Sequence, residues 1–442
     1  MDIQLSDHFN YKKLLKFTLP SIIMMVFTSI YGVIDGFFVS NFVGKTEFSG
    51  VNFIFPYLML FGAIGFMFGA GGSALVSKTL GEKDNNKANS YFSLIVYTNI
   101  VVSILLMVIG LFTIEPVAIM LGAEGYMLEC SVKYGIILTF ALPFLMNQYL
   151  FQSFFVTAEK PGLGLTMSII AGVTNIVLDF LFIVVFKWGI VGAAVASAIG
   201  QMAGGIMPFV YFIRKNDSLL KLTKTKFDIK ALGKSIFNGS SEFFSNISMS
   251  LVGLVYNYQL MKVAGEDGVA AYGTLMYVCM IFISIIIGYS VGTAPIIGYN
   301  YGAKNHEELK NILKKSIIII ILTNIGMVIL SEVLAYPLSL IYVGYDDVLF
   351  DMTLNGFFIY SFGFLFAGFS IFGSSFFTAL NNGLISAIIS TSRTAVFQII
   401  TVLILPIFMG INGIWLSIVI GEFLAAVCAI VFIIIYRKKY NY

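Results

Sequence analysis

The chain of 442 residues matches itself at one fixed offset of 221 residues, with no gap between the first matched pair and the last. Glycines dominate the matches, and Lys83 also falls on Lys304. The glycine pairs are Gly44 and Gly265, Gly71 and Gly292, Gly81 and Gly302, Gly135 and Gly356, Gly189 and Gly410, and Gly200 and Gly421. Glycine is typical of places where helices pack closely or turn. The sequence therefore predicts one structural unit used twice.

Composition places both units in a membrane. The chain is 58% hydrophobic and only 11% charged, with a mean hydropathy of +0.93, which excludes an ordinary soluble domain. Twelve apolar stretches are long enough to cross a bilayer. They cover residues 14–43, 48–77, 90–113, 130–156, 162–186, 189–213, 236–261, 269–298, 316–338, 354–378, 384–408 and 411–436. Short apolar stretches after Pro116 and Pro337 are interpreted as small interfacial helices.

The charges between the spans predict the orientation. One side, with both termini, carries 22 of the 26 Lys and Arg residues, and the other side carries four. The positive-inside rule then places both termini in the cytoplasm, for a multi-pass protein of the plasma (inner) membrane. The net charge of +3 follows from this topology and gives no support for a nucleic-acid partner.

An even number of spans in each half makes the two repeats parallel, related by an axis along the membrane normal. We expect an N-lobe of residues 1–215 with spans 1–6 and a C-lobe of residues 231–442 with spans 7–12. The polar segment 216–230 is the expected cytoplasmic linker. In a membrane protein this pattern is typical of a transporter whose pathway lies between two lobes.

Four oxygen-bearing side chains in the first half lie at similar predicted depth. At 1.5 Å per residue, Asp35 and Ser197 are about 12 Å and Asp179 about 10 Å below the outer surface. Asn175 is four residues before Asp179 and shares its helix face. Ionisable groups inside the membrane are costly and usually functional. Their oxygens suit a hard cation such as Na⁺ at Asp35, Asn175 and Asp179, and a buried carboxylate pair also suits a proton. Alternatively, Asn175 and Ser197 make only interhelical hydrogen bonds.

The second half does not repeat this set. The residues at the offset positions of Asp35, Asn175, Asp179 and Ser197 are Tyr256, Val396, Ile400 and Ile418. The second half has three ionisable groups of its own, Glu242, Arg393 and Glu422. Arg393 and Glu422 lie at similar predicted depth, roughly 16 Å, on consecutive spans. They either neutralise each other as a buried polar pair, or one of the three contacts charged substrates or takes part in proton coupling.

Other polar and soft apolar residues are candidates for a substrate cavity. An Asn-Gln pair in the middle of span 4 is the most informative, because single aromatic or Met side chains usually pack between helices or face lipid. The candidates are Met24, Met25, Tyr31, Asn147, Gln148 and Phe151, with Glu242 added from the second half.

Several function classes have no support in the sequence. It has no phosphate-binding glycine-rich loop of the ATPase type and no His or Cys cluster for a catalytic metal. His8 and His306 are in loops, and the three cysteines are in apolar runs. We therefore expect no enzyme activity and no cofactor other than a coupling ion.

At these residues the chain resembles the multidrug and toxic compound extrusion (MATE) family of cation-coupled exporters, and the resemblance covers essentially the whole chain. Asn175-Ile-Val-Leu-Asp179 is similar to the family's span-5 motif, and Asp35 in Val-Ile-Asp-Gly to its span-1 aspartate. Ser197 stands where bacterial members often have Thr. Span 10, from Gly356 to Thr378, lacks the acid that some members carry there.

The resemblance implies an all-α integral membrane protein of the MATE or MOP-flippase fold, with twelve transmembrane helices in two parallel six-helix repeats. It also implies an Na⁺- or H⁺-coupled antiporter that exports small-molecule drugs or toxic organic cations as a monomer. The alternative is a flippase of the same superfamily for a lipid-linked oligosaccharide or precursor. A channel or structural membrane protein would not need a carboxylate site confined to one lobe.

Overall fold

The computed structural model describes residues 3–442, except for the side chain of Lys45. Within these residues the chain is all-helical, with no β-strand. The helices are α1 (Tyr11–Phe42), α2 (Lys45–Gly81), α3 (Asn85–Leu121), α4 (Gly125–Thr157), α5 (Pro161–Asp179), α6 (Gly189–Ile213), α7 (Ile229–Gly302), α8 (His306–Val343), α9 (Asp347–Tyr360), α10 (Phe364–Ala379), α11 (Gly383–Thr391), α12 (Gln398–Met409) and α13 (Ile411–Tyr440).

Eleven continuous helical stretches in the described chain are long and apolar enough to cross a membrane, and one of them accounts for two spans. This stretch is α7, with 74 residues. As one straight helix it would be about 110 Å long, several times the thickness of a bilayer core. It turns at Gly265, where φ is +65° and ψ is −151°, a conformation that favours glycine. The two arms of α7 are spans 7 and 8, and the predicted twelve-helix fold is confirmed.

Three of the predicted spans contain a local change of helix type. A short π-helical turn, Phe180–Val185, continues α5. A second π-helical turn, Ser392–Phe397, joins α11 to α12 in span 11. A 3₁₀ turn, Ser361–Gly363, joins α9 to α10 in span 10.

The expectation of separate interfacial helices after Pro116 and Pro337 is wrong. Pro116 lies inside α3 and Pro337 inside α8, and both helices continue past the proline. Proline removes one backbone hydrogen bond. Neighbouring helices and local adjustment of the backbone allow membrane helices to tolerate this loss.

The two halves meet through contacts that are related by the same offset. A β-carbon at Gly71 of α2 would lie 2.6 Å from the backbone nitrogen of Gly239 on the first arm of α7. A β-carbon at Gly292 on the second arm would lie 3.0 Å from Cβ of Thr18 on α1. Since Thr18 corresponds to Gly239 and Gly71 to Gly292, one contact is the symmetry mate of the other.

A second pair of contacts follows the same rule nearer the helix ends. A β-carbon at Gly81 would lie 2.0 Å from the carbonyl oxygen of Tyr299, and one at Gly302 would lie 2.0 Å from the carbonyl oxygen of Lys78. Lys78 and Tyr299 are also 221 residues apart. The sequence matches at Gly71, Gly81, Gly292 and Gly302 therefore correspond to backbone contacts between the two halves.

All these contacts lie toward the end of the molecule that carries both termini, which we call the termini face. The glycines in the opposite parts of α1 and α7 have open space, since a β-carbon at Gly32, Gly253 or Gly273 would meet nothing within 4 Å. The halves are thus joined near the termini face.

The segment before α1 adds a further link on this face. The backbone N–H of Leu5 donates to Glu159 Oε1 at 2.6 Å, and Glu159 follows α4 in the first half. The backbone N–H of Phe9 donates to Glu308 Oε1 at 2.9 Å, and Glu308 begins α8 in the second half. Leu5 and Phe9 are both fully buried, so the segment connects the two halves across the termini face.

Candidate functional site

Small residues bring α1, α5 and α6 close together in the first half. A β-carbon at Gly172 of α5 would lie 2.5 Å from the ring of Phe27 on α1. A β-carbon at Gly200 of α6 would lie 2.9 Å from Cβ of Asn175. Any larger residue at these positions would separate the three helices that carry the predicted cation site.

The structure brings the four predicted site residues together. Asn175 donates through Nδ2 to Ser197 Oγ at 3.2 Å. Ser197 in turn donates its hydroxyl proton to Asp35 Oδ1 at 3.0 Å. This chain of hydrogen bonds runs from α5 through α6 to α1, and it orients Ser197 toward Asp35. The two neutral residues therefore make interhelical hydrogen bonds, and they do so directly at an ionisable group.

Asp179 completes the site and is its most unusual member. Its residue exposure is 0%, and neither carboxylate oxygen has a hydrogen-bond partner among the described residues. The Asn175 Oδ1 atom is also buried and unpartnered. The carboxyl of Asp35 is a neighbour of the Asp179 carboxyl, in reach of a hydrogen bond if one of them carries a proton.

Buried polar atoms without partners are costly and rare in native proteins. Three such oxygens at Asp179 and Asn175 fit a small hard cation, which prefers carboxylate and amide oxygens. A proton shared between the carboxyls of Asp35 and Asp179 would satisfy part of the same need. In the described part of the chain, no group of three or more His, Cys, Asp or Glu residues converges as it would at a typical multivalent metal site. The donor set therefore fits a monovalent cation or a proton.

A local irregularity adjoins this site. The π-helical turn Phe180–Val185 begins directly after Asp179. The other π-helical turn, Ser392–Phe397, contains Arg393. Such turns occur frequently at functional sites, because the extra residue re-aims neighbouring side chains.

The sequence reasoning missed Tyr134 of α4, which is 2% exposed. Its hydroxyl neighbours Ser197, and both site carboxylates are close enough to interact with it electrostatically. Depth is the signal that points to Tyr134, since it is nine residues into α4 from Gly125 and thus about 13 Å from that end. This is similar to the predicted depth of Asp35.

The predicted cavity residues of the first half lie mainly inside that half. Met24 and Met25 are buried. Asn147 accepts a hydrogen bond from Asn99 at 2.9 Å. Gln148 packs against Gly204 and neighbours Tyr31, yet neither polar atom of its amide has a partner by the hydrogen-bond geometry of the described residues.

Phe151 is part of a packed aromatic cluster and stacks on Phe212 with ring centroids 5.5 Å apart. Together with Gln148 and Gln152 it lines a cavity of only about 10 Å³. That volume is close to the smallest that can hold one water molecule. The assignment of these residues to a drug-binding surface stays a prediction.

Glu242 lies beside the contact between the two halves. It is three residues after Gly239 on the first arm of α7, so the two residues share a helix face. A β-carbon at Gly239 would lie 2.0 Å from the carbonyl oxygen of Met67 on α2. The half-buried carboxylate of Glu242 makes no hydrogen bond or ion pair within residues 3–442, although its backbone carbonyl accepts from Asn246.

Arg393 and Glu422 are paired in the structure. Nε of Arg393 donates to Glu422 Oε2 at 2.9 Å. Nε2 of Gln398 donates to the other carboxylate oxygen of Glu422 at 3.1 Å. Both side chains are largely shielded, with 16% and 5% of their surface exposed. The pair is a mutually neutralised charge cluster that leaves Glu242 as the unpaired acid near it in sequence.

The counterpart of the cation site in the second half is apolar. Tyr256, at the position of Asp35, donates or accepts a hydrogen bond with Ser417 at 2.9 Å and stacks on Tyr272. Val396 and Ile400, at the positions of Asn175 and Asp179, are 45% and 49% exposed on the helix surface. The ionisable pair is thus specific to the first half.

Comparison with known proteins identifies the family. The MatE family model matches residues 20–181 and 243–404, which is more than half of the chain. The chain belongs to the MatE family. The resemblance carried by Asp35 and the Asn175–Asp179 motif is thereby confirmed at the level of the family.

Relatives in this family cover the whole chain. Multidrug export protein MepA of Staphylococcus saprophyticus is 26% identical over 437 residues, which span 97% of this chain and 94% of the relative. The protein of the same name from Staphylococcus haemolyticus is 27% identical over 439 residues, with 97% and 94% coverage. MATE proteins are transporters and not enzymes, so this chain is a multi-pass membrane transporter.

The fold agrees with that of a solved MATE transporter. An outward-facing conformation of a multidrug resistance MATE family transporter of the MOP superfamily superposes with a TM-score of 0.93. The two chains are 22% identical, and the superposition covers 98% of this chain and 97% of that one. At this identity the likeness shows the fold alone.

Proposed function

We propose that this MATE protein is a secondary antiporter in which Na⁺ or H⁺ entering at Asp35 and Asp179 drives export of lipophilic organic cations. The observation that carries the proposal is the pair of unpartnered carboxylate oxygens on fully buried Asp179, next to Asp35. A site of this kind is stable only when a cation or proton is bound or when the local packing changes. Binding and release are therefore coupled to conformation.

The export direction and the substrate class draw on the relatives. The staphylococcal proteins named multidrug export protein cover nearly the whole chain. The unpaired carboxylate of Glu242 beside the interface between the halves supports recognition of a positively charged ligand. We place both termini in the cytoplasm because of the Lys and Arg distribution, in the plasma membrane, and we expect the monomer to be the working unit.

Alternating access follows from the geometry of the contacts. In the conformation described here the halves meet at the termini face, which the proposal makes cytoplasmic. Neutralising Asp35 removes a cost of burying its charge and allows α1 to repack. Gly32 and Gly36 flank Asp35, and the space around Gly32 is open, so this part of α1 can bend. Bending of α1 would reshape the first half and expel the ligand outward.

The test is flux in proteoliposomes that contain the purified protein and a fluorescent lipophilic cation such as ethidium. Export is measured with an Na⁺ gradient, a pH gradient and no gradient. Glu129→Gln is a matched control, because Glu129 is an exposed acid that pairs only with Lys133 and lies outside the site. We expect one of the gradients to drive export by the wild type and by this control. Equal flux in all three conditions would contradict an antiporter and indicate a channel. Translocation of a lipid-linked oligosaccharide without cation export would indicate a flippase.

A further inference from the structure

A cavity of about 880 Å³ lies at the termini face of the first half, away from the cation site. It is formed by the start of α1, the loop between α4 and α5, and the end of α6 with the residues that follow it. Its lining comprises Ile3, Lys16, Phe17, 159–163, Met207, Val210, Tyr211 and 214–217. This volume is within the range of ligand-binding cavities.

One side of the cavity is positively charged. Lys16, Arg214 and Lys215 are exposed there, and none of the three forms an ion pair with any described residue. Lys160 contributes a fourth cation. Of the two acids in the lining, Glu159 accepts a hydrogen bond from the backbone of Leu5. The charged side therefore fits an anion.

The other side of the cavity is apolar and continues along the membrane-spanning part of α6. Phe17, Leu163, Met207 and Val210 are on this side. Val210 is 37% exposed and belongs to an outward row of apolar residues on α6. The row consists of Met202, Ile206, Val210 and Ile213. Their spacing places these residues on one helix face, so an apolar track runs from the cavity toward the centre of the bilayer.

We propose that this cavity binds the phosphate headgroup of an anionic phospholipid, with an acyl chain along the apolar face of α6. Basic pockets between membrane helices on the cytoplasmic side are suited to anionic headgroups. A soluble phosphate compound would use the cations but would leave the apolar track unused. The combination of both features favours the lipid. Since the cavity joins Lys16 and Phe17 of α1 to the ends of α5 and α6, the bound lipid fastens α1 to the first half.

The experiment counts lipid on the purified full-length protein by mass spectrometry under non-denaturing conditions, during titration with phosphatidylglycerol or phosphatidylcholine. The test variant combines Lys16→Gln, Arg214→Gln and Lys215→Gln. The matched control combines Lys224→Gln, Lys226→Gln and Lys230→Gln, which removes the same charge from exposed residues outside the cavity.

We expect one phosphatidylglycerol to bind the wild type in preference to phosphatidylcholine. Each basic residue near an anionic lipid contributes roughly fivefold in affinity, so the test variant should bind on the order of a hundredfold more weakly. The control should stay within a few-fold of the wild type. Equal weakening in the test and control variants would overturn the proposal, because it would indicate general attraction to a basic surface.

A second variant separates the cavity from its charged rim. Val210→Trp fills the apolar side and leaves every charge in place, and it should also lose the preferred lipid. Retention of phosphatidylglycerol by this variant would contradict binding within the cavity. Inorganic phosphate is titrated in the same way. If it displaces the lipid completely at millimolar concentration, the site is one for soluble phosphate and the lipid assignment is wrong.

Discussion

The glycine contacts at the termini face give a quantitative prediction about the conformational equilibrium. Gly302→Ala adds one methyl group to a helical position where the backbone conformation accepts alanine. The added β-carbon would lie 2.0 Å from the carbonyl oxygen of Lys78 and 2.8 Å from its carbonyl carbon. These are backbone atoms of the other half, so no side-chain rotation can relieve the overlap. Either the halves separate at this face or the helices shift.

The expected magnitude follows from the cost of overpacking, which is about 1–3 kcal/mol for a well-packed site. If this contact exists only while the termini face is closed, the whole cost falls on that conformation. The ratio of closed to open molecules should then drop roughly 5- to 150-fold. Gly81→Ala should act in the same direction by a similar amount, because Gly81 and Tyr299 form the symmetry-related contact.

The assay is a distance measurement between spin labels at Asn86 and Glu307, in a background without the three native cysteines. Both positions are exposed, they lie at the start of α3 and α8, and they are 221 residues apart. Opening of the termini face should lengthen the label distance. We expect the longer distance to gain population in Gly302→Ala and in Gly81→Ala.

The matched control is Gly253→Ala on the first arm of α7, where a β-carbon meets nothing within 4 Å. Alanine is favoured over glycine inside a helix, so this variant should keep the wild-type distance distribution. If folded Gly302→Ala also keeps it, the glycine contacts do not hold the termini face closed and the reasoning fails.

Three further predictions concern the charged sites and α1. Asp179→Asn should abolish gradient-driven export of ethidium from proteoliposomes and leave the protein folded, because an amide neither carries a proton nor attracts a cation; normal export would refute the coupling role. Glu422→Gln leaves Arg393 without its partner, which costs about 3–5 kcal/mol in a soluble interior and less where a membrane protein admits water. Its thermal unfolding midpoint in detergent should fall, whereas the joint replacement Glu422→Leu with Arg393→Met should recover much of the loss, and no change in the single variant would contradict a buried pair. Gly32→Leu combined with Gly36→Leu should block coupled export by stiffening α1, and unchanged export would exclude the bending mechanism.

Much of the architecture could be predicted from the sequence, because hydrophobic length and loop charge act locally. The repeat at 221 residues also had a direct structural cause, since Gly81 and Gly302 contact the backbone of the opposite half. The helix ends were less accessible. Nothing in the residues around Pro116 and Pro337 shows that α3 and α8 continue past the proline, because neighbouring helices decide whether the lost hydrogen bond is tolerated.

The candidate site divides in the same way. Asp35, Asn175, Asp179 and Ser197 were accessible to sequence reasoning, because polar atoms in an apolar span are conspicuous and their depths can be counted. Tyr134 was not selected, since aromatic residues make up 15% of the chain and a single one carries little information. The pairing of side chains across helices depends on helix rotation, which depth alone does not determine.

The central claim is that the buried carboxyls of Asp35 and Asp179 hold the coupling cation and release it when the substrate binds. The most direct measurement uses purified protein in weakly buffered detergent solution, with radioactive Na⁺ bound in one experiment and a pH indicator present in another. Addition of a lipophilic organic cation should release about one Na⁺ or one proton per wild-type molecule, and Asp179→Asn should release none. Equal release from the wild type and from folded Asp179→Asn would contradict the account.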